Sequence, residues 1–249
     1  MPRILLAGES WISQATHFKG FDSFTSVTFH SGADAFIASA KRQGLDVEQL
    51  YAHDVPTKFP RTVEAMTEFD VIILSDIGAN SFVLPLETWL GGSPSDNPLI
   101  NLCEWVRSGG GLMMAGGYLS FQGFQARANF ARSPLADVLP VSMLDCDDRV
   151  EAPQGARPVV ALPGHEIGAA WSGSAPDLLG YNKVEAKAGA QVVATVGGDV
   201  LIATSEVGEG RSLVWTSDIG PHWCPEEFLA WSGFDGVVGA MLRWLGAGR

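Results

Sequence analysis

The sequence predicts an α/β fold, a mostly parallel sheet flanked by helices, with added antiparallel strands in the second half. Three observations carry this. Short apolar runs closed by a glycine or a polar residue, RILLAG at 3–8, DVIILS at 70–75 and GLMMA at 111–115, read as strands buried on both faces. Helix-patterned segments alternate with them through the first half, as strand–helix–strand crossovers require. In the second half the candidate strands are joined by short glycine turns, which suits hairpins.

The elements follow in order. After the strand at 3–8 comes a polar segment, 9–24. Residues 33–43 have helical spacing, with Phe36, Ile37 and Ala40 on one face and Gly44 as the stop. A strand is expected at 46–51, a loop at 55–60 and a short helix at 61–68. The strand at 70–75 is the clearest in the chain. A helix at 99–108 ends in three glycines, 109–111, and leads into the strand at 111–115. Strands at 159–162, 191–196, 201–206 and 211–216 follow, with turns at Gly197-Gly198 and 208–210. Residues 226–245 close the chain as one helix with a stripe of Phe228, Trp231, Val237, Val238, Met241 and Leu245. No repeat, low-complexity tract or linker divides the chain. Residues 1–249 are therefore read as one domain, long enough to bury a full core.

Composition narrows the partners. With 46% hydrophobic and 18% charged residues the chain is not of the disordered class. Its net charge of −12 repels phosphate backbones, which argues against nucleic acid and anionic membranes. The N-terminal apolar run is too short for a signal peptide, and no stretch has the length of a membrane span, so the cytoplasm is expected. The three cysteines, Cys103, Cys146 and Cys224, match no zinc spacing and suggest no disulfide framework. No metal and no cofactor is expected. A small-molecule ligand is, and an exposed hairpin edge would favour a homo-oligomer.

Open parallel sheets bind ligands outside the carboxyl ends of their strands. Here those ends are polar. The first strand runs into Glu9, Ser10 and Trp11, then His17 and Lys19. The second buried run leads to Asp76 and Asn80, the third to Tyr118, Ser120 and Gln122, and the strand at 211–216 to Asp218, His222 and Trp223. Four strand ends delivering acids, hydroxyls and a histidine to one rim point to a pocket. Each residue also has a plainer reading. Glu9 suits a helix cap or loop amides, His17 and Lys19 a solvated loop, and Asp76 and Asn80 a turn. The cluster Asp147-Asp148-Arg149-Val150-Glu151 fits a surface ion-pair network, or an Arg149 that orients a substrate carboxylate. The segment GLMMAGGYLSFQG has the shape of a nucleophile elbow with Tyr118 at its apex, where a phenol serves as an acid–base group or as a plug.

These residues carry a resemblance. GESW, HFKGFDSF, VIILSDIGAN, GGLMMAGGYLSFQG, DDRVEAPQG, LLGYNKV and GRSLVWTSDIGPHW resemble the family of glutamine amidotransferase-like cytoplasmic proteins, over nearly the whole chain. The resemblance implies the class I glutamine amidotransferase fold, a flavodoxin-like sheet with an elbow carrying the nucleophile. In true amidotransferases that elbow reads roughly Gly-x-Cys-x-Gly. Here Gly116-Gly117-Tyr118-Leu119-Ser120 stands there, so Tyr118 replaces the cysteine. The usual C-terminal His-x-Glu pair is absent too, since the acids nearest after His222 are Glu226 and Glu227. Without a thiolate no glutamyl thioester forms, and no glutaminase activity is expected.

Three functions compete. The first is an enzyme acting on a small polar metabolite, by hydrolysis of an amide or other C–N bond. Tyr118, His222, Asp218 and Glu9 would be catalytic. Trp11, His17, Lys19, Asp76, Asn80, Ser120, Gln122, Arg149 and Trp223 would bind substrate. Cys224 is either a relocated nucleophile or an inert buried thiol. The second is a non-catalytic module for a small molecule or sugar, lined by aromatics such as Trp11 and Trp223. The third, a metal-dependent hydrolase, lacks any HxH or HExxH spacing.

Overall fold

Central strands buried on both faces decide the layering of the computed structural model, which describes residues 2–247. In chain order its elements are β1 (Arg3–Gly8), β2 (Ser10–Lys19), β3 (Asp22–Ser31), α1 (Asp34–Arg42), β4 (Asp46–Leu50), α2 (Val55–Lys58), α3 (Val63–Met66), β5 (Val71–Ser75), α4 (Asn80–Val83), α5 (Leu86–Trp89), α6 (Pro98–Arg107) and β6 (Gly111–Ala115). Three short 3₁₀ turns lead to β7 (Val141–Met143), β8 (Arg149–Ala156), β9 (Pro158–Val160), α7 (Glu166–Ala169), β10 (Leu178–Asn182), β11 (Val184–Ala186), β12 (Gln191–Val196), β13 (Asp199–Val207), β14 (Gly210–Trp215), α8 (Glu226–Leu229) and α9 (Phe234–Gly246).

Among the described residues eight strands form the main sheet in the order β4-β1-β5-β6-β14-β13-β12-β9. The first five are parallel, and counted along the sheet they run second-first-third-fourth-fifth, the flavodoxin-like order. β13, β12 and β9 extend that sheet antiparallel, as the glycine turns predict. Ile4, Leu6 and Ile73 point to the layer of α1 and α9, while Leu5, Ala7 and Ile72 point to the layer of α6. Period-2 alternation thus gives each helix layer its own core.

Several sequence expectations change. The polar segment 9–24 belongs instead to a hairpin, β2–β3, in unbroken register from Ser10↔Ser31 to Lys19↔Asp22 and closed by a two-residue turn at Gly20-Phe21. Its ends meet at the sheet, where the Gly32 N–H donates to the Glu9 carbonyl at 2.9 Å. Its ten-residue strands carry it about 30 Å outward, with Ile12, Phe18, Phe21, Phe24 and Val27 exposed. The loop at 55–60 contains the one-turn helix α2, with Pro56 in its first turn. The single C-terminal helix is two, α8 and α9, interrupted at 230–233, where Trp231 turns to pack on Trp171 and Phe228. β7, β8, β10 and β11, which form two small two-stranded sheets, had no counterpart in the sequence reading.

Gly8 ends β1 at φ +106°, and a Cβ there would sit 2.0 Å from the Ser75 carbonyl oxygen. Both the conformation and the space demand glycine. Gly8→Ala is therefore expected to cost about 2–3 kcal/mol or more in urea unfolding, with the loss visible as a lower midpoint at unchanged m-value.

Candidate functional site

β1 sends the chain toward β4 on one side while β5 pairs on its other side, so the switch point of the sheet lies between β1 and β5. Glu9 follows the first of these strands and Asp76 the second. Both are non-glycine residues held in the left-handed region, at φ +49° and +42°. Such a conformation costs of order 1–3 kcal/mol and persists where surroundings over-determine it. The surroundings are visible. The Glu9 N–H donates to the Ser75 carbonyl at 2.7 Å, and Ser75 Oγ donates to Glu9 Oε2 at 2.5 Å. The Asp76 N–H donates to Ser120 Oγ at 3.0 Å, and Asp76 Oδ1 accepts the Leu119 N–H at 2.7 Å.

A cavity of about 360 Å³ opens there, lined by Glu9, Trp11, Asp76, Tyr118, Asp218, Pro221 and His222. Six of these are residues that the sequence assigns to a site. Asp218, buried after β14, accepts from the Trp223 N–H at 3.0 Å and lies 3.0 Å from His222 Nδ1. The Tyr118 ring meets the His222 ring edge-on, with centroids 4.7 Å apart. Its hydroxyl donates to Glu151 Oε1 at 3.1 Å, and Trp223 Nε1 donates to the other oxygen of the same carboxylate at 3.0 Å. Gly117 lies against two of these acids. A Cβ on it would meet Asp76 Oδ1 at 2.8 Å and Asp218 Oδ1 at 3.0 Å, so only a bare α-carbon lets both carboxylates close in.

Burial sets the protonation. It pushes the Glu9 carboxyl up to about 8, with the Asp76 and Asp218 charges adding and the Ser75 hydrogen bond opposing. It pushes Asp76 up to about 6, against the hydrogen bond from the Leu119 N–H. The hydrogen bond to Asp218 raises the His222 imidazole above its ordinary value and favours the imidazolium. Burial, then Glu151, raise the Tyr118 phenol, so it stays protonated.

The other sequence candidates fall elsewhere. His17 and Lys19 lie near the tip of the β2–β3 hairpin, where His17 Nε2 meets Ser26 Oγ at 2.8 Å and Lys19 lies over Phe24. Asn80 is exposed on α4. Ser120 is buried under Asp76. Gln122 is buried with its Oε1 accepting the Ala131 N–H at 2.9 Å. Trp223 is buried behind Tyr118. Arg149 is held by Asp147 through two hydrogen bonds of 3.0 and 2.9 Å, and its guanidinium lies 4.7 Å from the Tyr118 ring centroid, so it braces the site wall. Cys224 is fully buried, and burial drives its thiol well above the ordinary value, away from thiolate chemistry.

Residues not expected at the site also shape it. Glu151 reaches it from β8. Asn182 Oδ1 accepts the Gly117 N–H at 3.0 Å and its Nδ2 donates to Asp148 at 2.8 Å. Asp148 in turn accepts the N–H groups of Gln122 and Gly123. These contacts span 25 to 65 residues, and their signal lay only in the quoted motifs DDRVEAPQG and LLGYNKV. The turn itself departs from a nucleophile elbow. Its positive φ falls on Gly117, not Tyr118, and a 3₁₀ turn at Phe124–Ala126 stands where a helix would follow.

A family model described as "putative glutamine amidotransferase" matches residues 3–247. The chain belongs to this family. Two solved structures of cytoplasmic proteins from Salmonella typhimurium are similar members by sequence and shape. One is 39% identical with a TM-score of 0.93, covering 98% of both chains. The other is 42% identical with a TM-score of 0.92, covering 98% of this chain and 99% of its own. A "thua-like protein" from Bacteroides uniformis, 11% identical with a TM-score of 0.58 and covering 98% and 90%, shares the fold. No protein of curated function matches the chain. Among the described residues no helix is long and apolar enough to cross a membrane.

The Glu9 shift has a consequence for stability. Between about pH 4.5 and 8 the unfolded chain has lost this proton and the folded chain keeps it, so wild-type stability falls as pH rises through that window and levels above it. Glu9→Gln escapes this. Its advantage over wild type is expected to grow with pH by at most about 1.4 kcal/mol per unit and to flatten above pH 8, as read by urea unfolding at several pH values.

Proposed function

We propose that the chain is an acid–base enzyme acting on a small polar metabolite, with hydrolysis of an amide or other C–N bond as the reaction class. The supporting observation is the split between two strand-end acids at one cavity: Glu9 at about 8 keeps its proton at neutral pH, while Asp76 at about 6 has lost its own. Carboxyls pushed apart in this way supply an acid and a base. In this reading Asp76 takes a proton from water as its oxygen adds to the carbon. Glu9 gives its proton to the departing nitrogen as the C–N bond breaks. Asp218 orients His222, whose imidazolium faces charge developing on the carbonyl oxygen. Tyr118, fixed by Glu151, and Trp11 wall the site. No thiol enters, so the chain is not a glutaminase. The cytoplasm, the word carried by the names of its two Salmonella relatives, is the location we propose.

A second reading, a non-catalytic binder of a sugar or similar small molecule, is favoured by the aromatic side chains of Trp11 and Tyr118 beside the acids. A metal-dependent hydrolase has less support, because among the described residues no three His, Cys, Asp or Glu side chains are grouped to hold a metal ion.

Turnover is to be screened across amides, lactams and oxidised sugars. For a substrate found this way, kcat/KM is expected to rise above about pH 6 as Asp76 ionises and to fall above about pH 8 as Glu9 does. Glu9→Gln and Asp76→Asn should each lower kcat by about 100-fold or more and remove one limb of that profile. Binding across the panel without turnover sinks the enzyme reading in favour of the binder. Separately, glutamine should yield no ammonia, and release of ammonia would refute the absence of glutaminase chemistry.

A further inference from the structure

The β2–β3 arm is the part of the molecule least accounted for by its own chain. An isolated two-stranded hairpin is marginal in water. This one is anchored only near its root, where the Ala52 N–H donates to Ser10 Oγ at 2.8 Å and Phe29 meets Tyr51 edge-on. Farther out the side-chain contacts given above stay within the hairpin. Yet Trp11 and Phe24 on one face, Ile12, Phe18, Val27 and Phe29 on the other and Phe21 at the tip are all exposed.

The pattern on one face indicates what covers it. Strand alternation puts Trp11, Ser13, Ala15, His17 and Lys19 on that face of β2. Their cross-strand partners are His30, Thr28, Ser26, Phe24 and Asp22. Stacked ring pairs therefore stand at both ends, Trp11 on His30 at the root and His17 on Phe24 near the tip. Between them lie only small residues. The pattern is symmetric about the level of Gln14 and Val27. Two copies laid antiparallel on this face would set Ser13 against Ala15 and Trp11 against His17, in close approach across the small centre. The same alignment brings Lys19 level with Glu9.

Charge favours a second copy in this position. The whole chain carries −12, but Lys19 and Asp22 are the only formally charged residues of the arm, so the arm is neutral and lets two acidic bodies meet. The cavity that starts at the arm's root holds Glu9, Asp76 and Asp218 and has no Lys or Arg in its lining. Lys19 brings a fixed positive charge to a lining whose one basic side chain is His222.

We propose that two copies pair through this face of the arm about a two-fold axis, and that Lys19 of each copy reaches the mouth of the other copy's cavity. Trp11 is then both cavity wall and interface, and the site is completed only in the dimer. The role given to Lys19 rests on the strand-end cavity being the working site. The test reads mass and cross-links rather than turnover, so a catalytically silent protein would leave the pairing standing.

The test uses the full chain. Sedimentation at micromolar concentration should show a dimer. Ala15→Arg, at an exposed small position, places two like charges at the centre of the pairing. It should raise the dimer dissociation constant by about 100-fold with the circular dichroism spectrum and Tm of the monomer retained. A carbodiimide cross-linker applied to a mixture of isotopically light and heavy protein should join Lys19 to Glu9, Asp76, Asp218 or Glu151 between light and heavy chains, and Ala15→Arg should abolish that product. Within one chain the arm keeps Lys19 about 30 Å from these acids, so no intramolecular product competes. A monomer, a dimer indifferent to Ala15→Arg, or a dimer in which Lys19 links only to other residues would overturn the proposal. Lys19→Gln, which leaves the small centre untouched, should stay dimeric; its dissociation would show that Lys19 acts in assembly rather than at the cavity and would overturn that part.

Discussion

The clasp between Glu9 and Ser75 is the constraint on which the working end of this molecule depends. Two parallel strands part company at the switch point, and their backbone groups need partners as they diverge. Ser75 satisfies them twice, taking the Glu9 N–H on its carbonyl and giving its hydroxyl to the Glu9 carboxyl. That forces Glu9 into the left-handed region with its side chain turned inward, away from water. Burial then fixes the proton on it. The pair of hydrogen bonds across the crevice sets the backbone strain and places the carboxyl, and burial keeps the proton there against the pull of the Ser75 hydroxyl.

Around that clasp a flavodoxin-like frame carries a turn that departs from a nucleophile elbow. The sheet order and the glycine turn after β6 remain. The apex residue is a phenol tied to Glu151, and the turn runs on into loops held by the buried carboxylate of Asp148. Backbone N–H groups of the turn, the donors an anion would need, are occupied by Asp76, Asp148 and Asn182. The amides of this turn are therefore spent on the protein's own side chains.

Much of this was legible in the sequence, for a physical reason. Strands buried on both faces have to be apolar throughout, and a polar residue directly after such a run has to be at its end, so Glu9, Asp76, Tyr118 and Asp218 could be placed from pattern alone. The arm could not. SWISQATHFK and DSFTSVTFHS are exposed on both faces and carry no burial alternation; what remained was a weak excess of β-branched and aromatic residues around Gly20-Phe21. β8 was hidden by the charges of Arg149 and Glu151, which read as a surface ion-pair network or a carboxylate-orienting arginine. Asn182 and Asp148 support the turn from far along the chain, and no local pattern reports such contacts. Arg149 looked available until its two bonds to Asp147 were seen.

The arm leaves the sheet after Glu9 and returns at Gly32, and those two residues are already joined by a hydrogen bond. In topological terms it is an insert with closed ends. The sheet does not need it, since β1 pairs with β4 and β5 independently of it. Its length and decoration are thus set by what the arm meets beyond the sheet, not by the sheet's own hydrogen bonding.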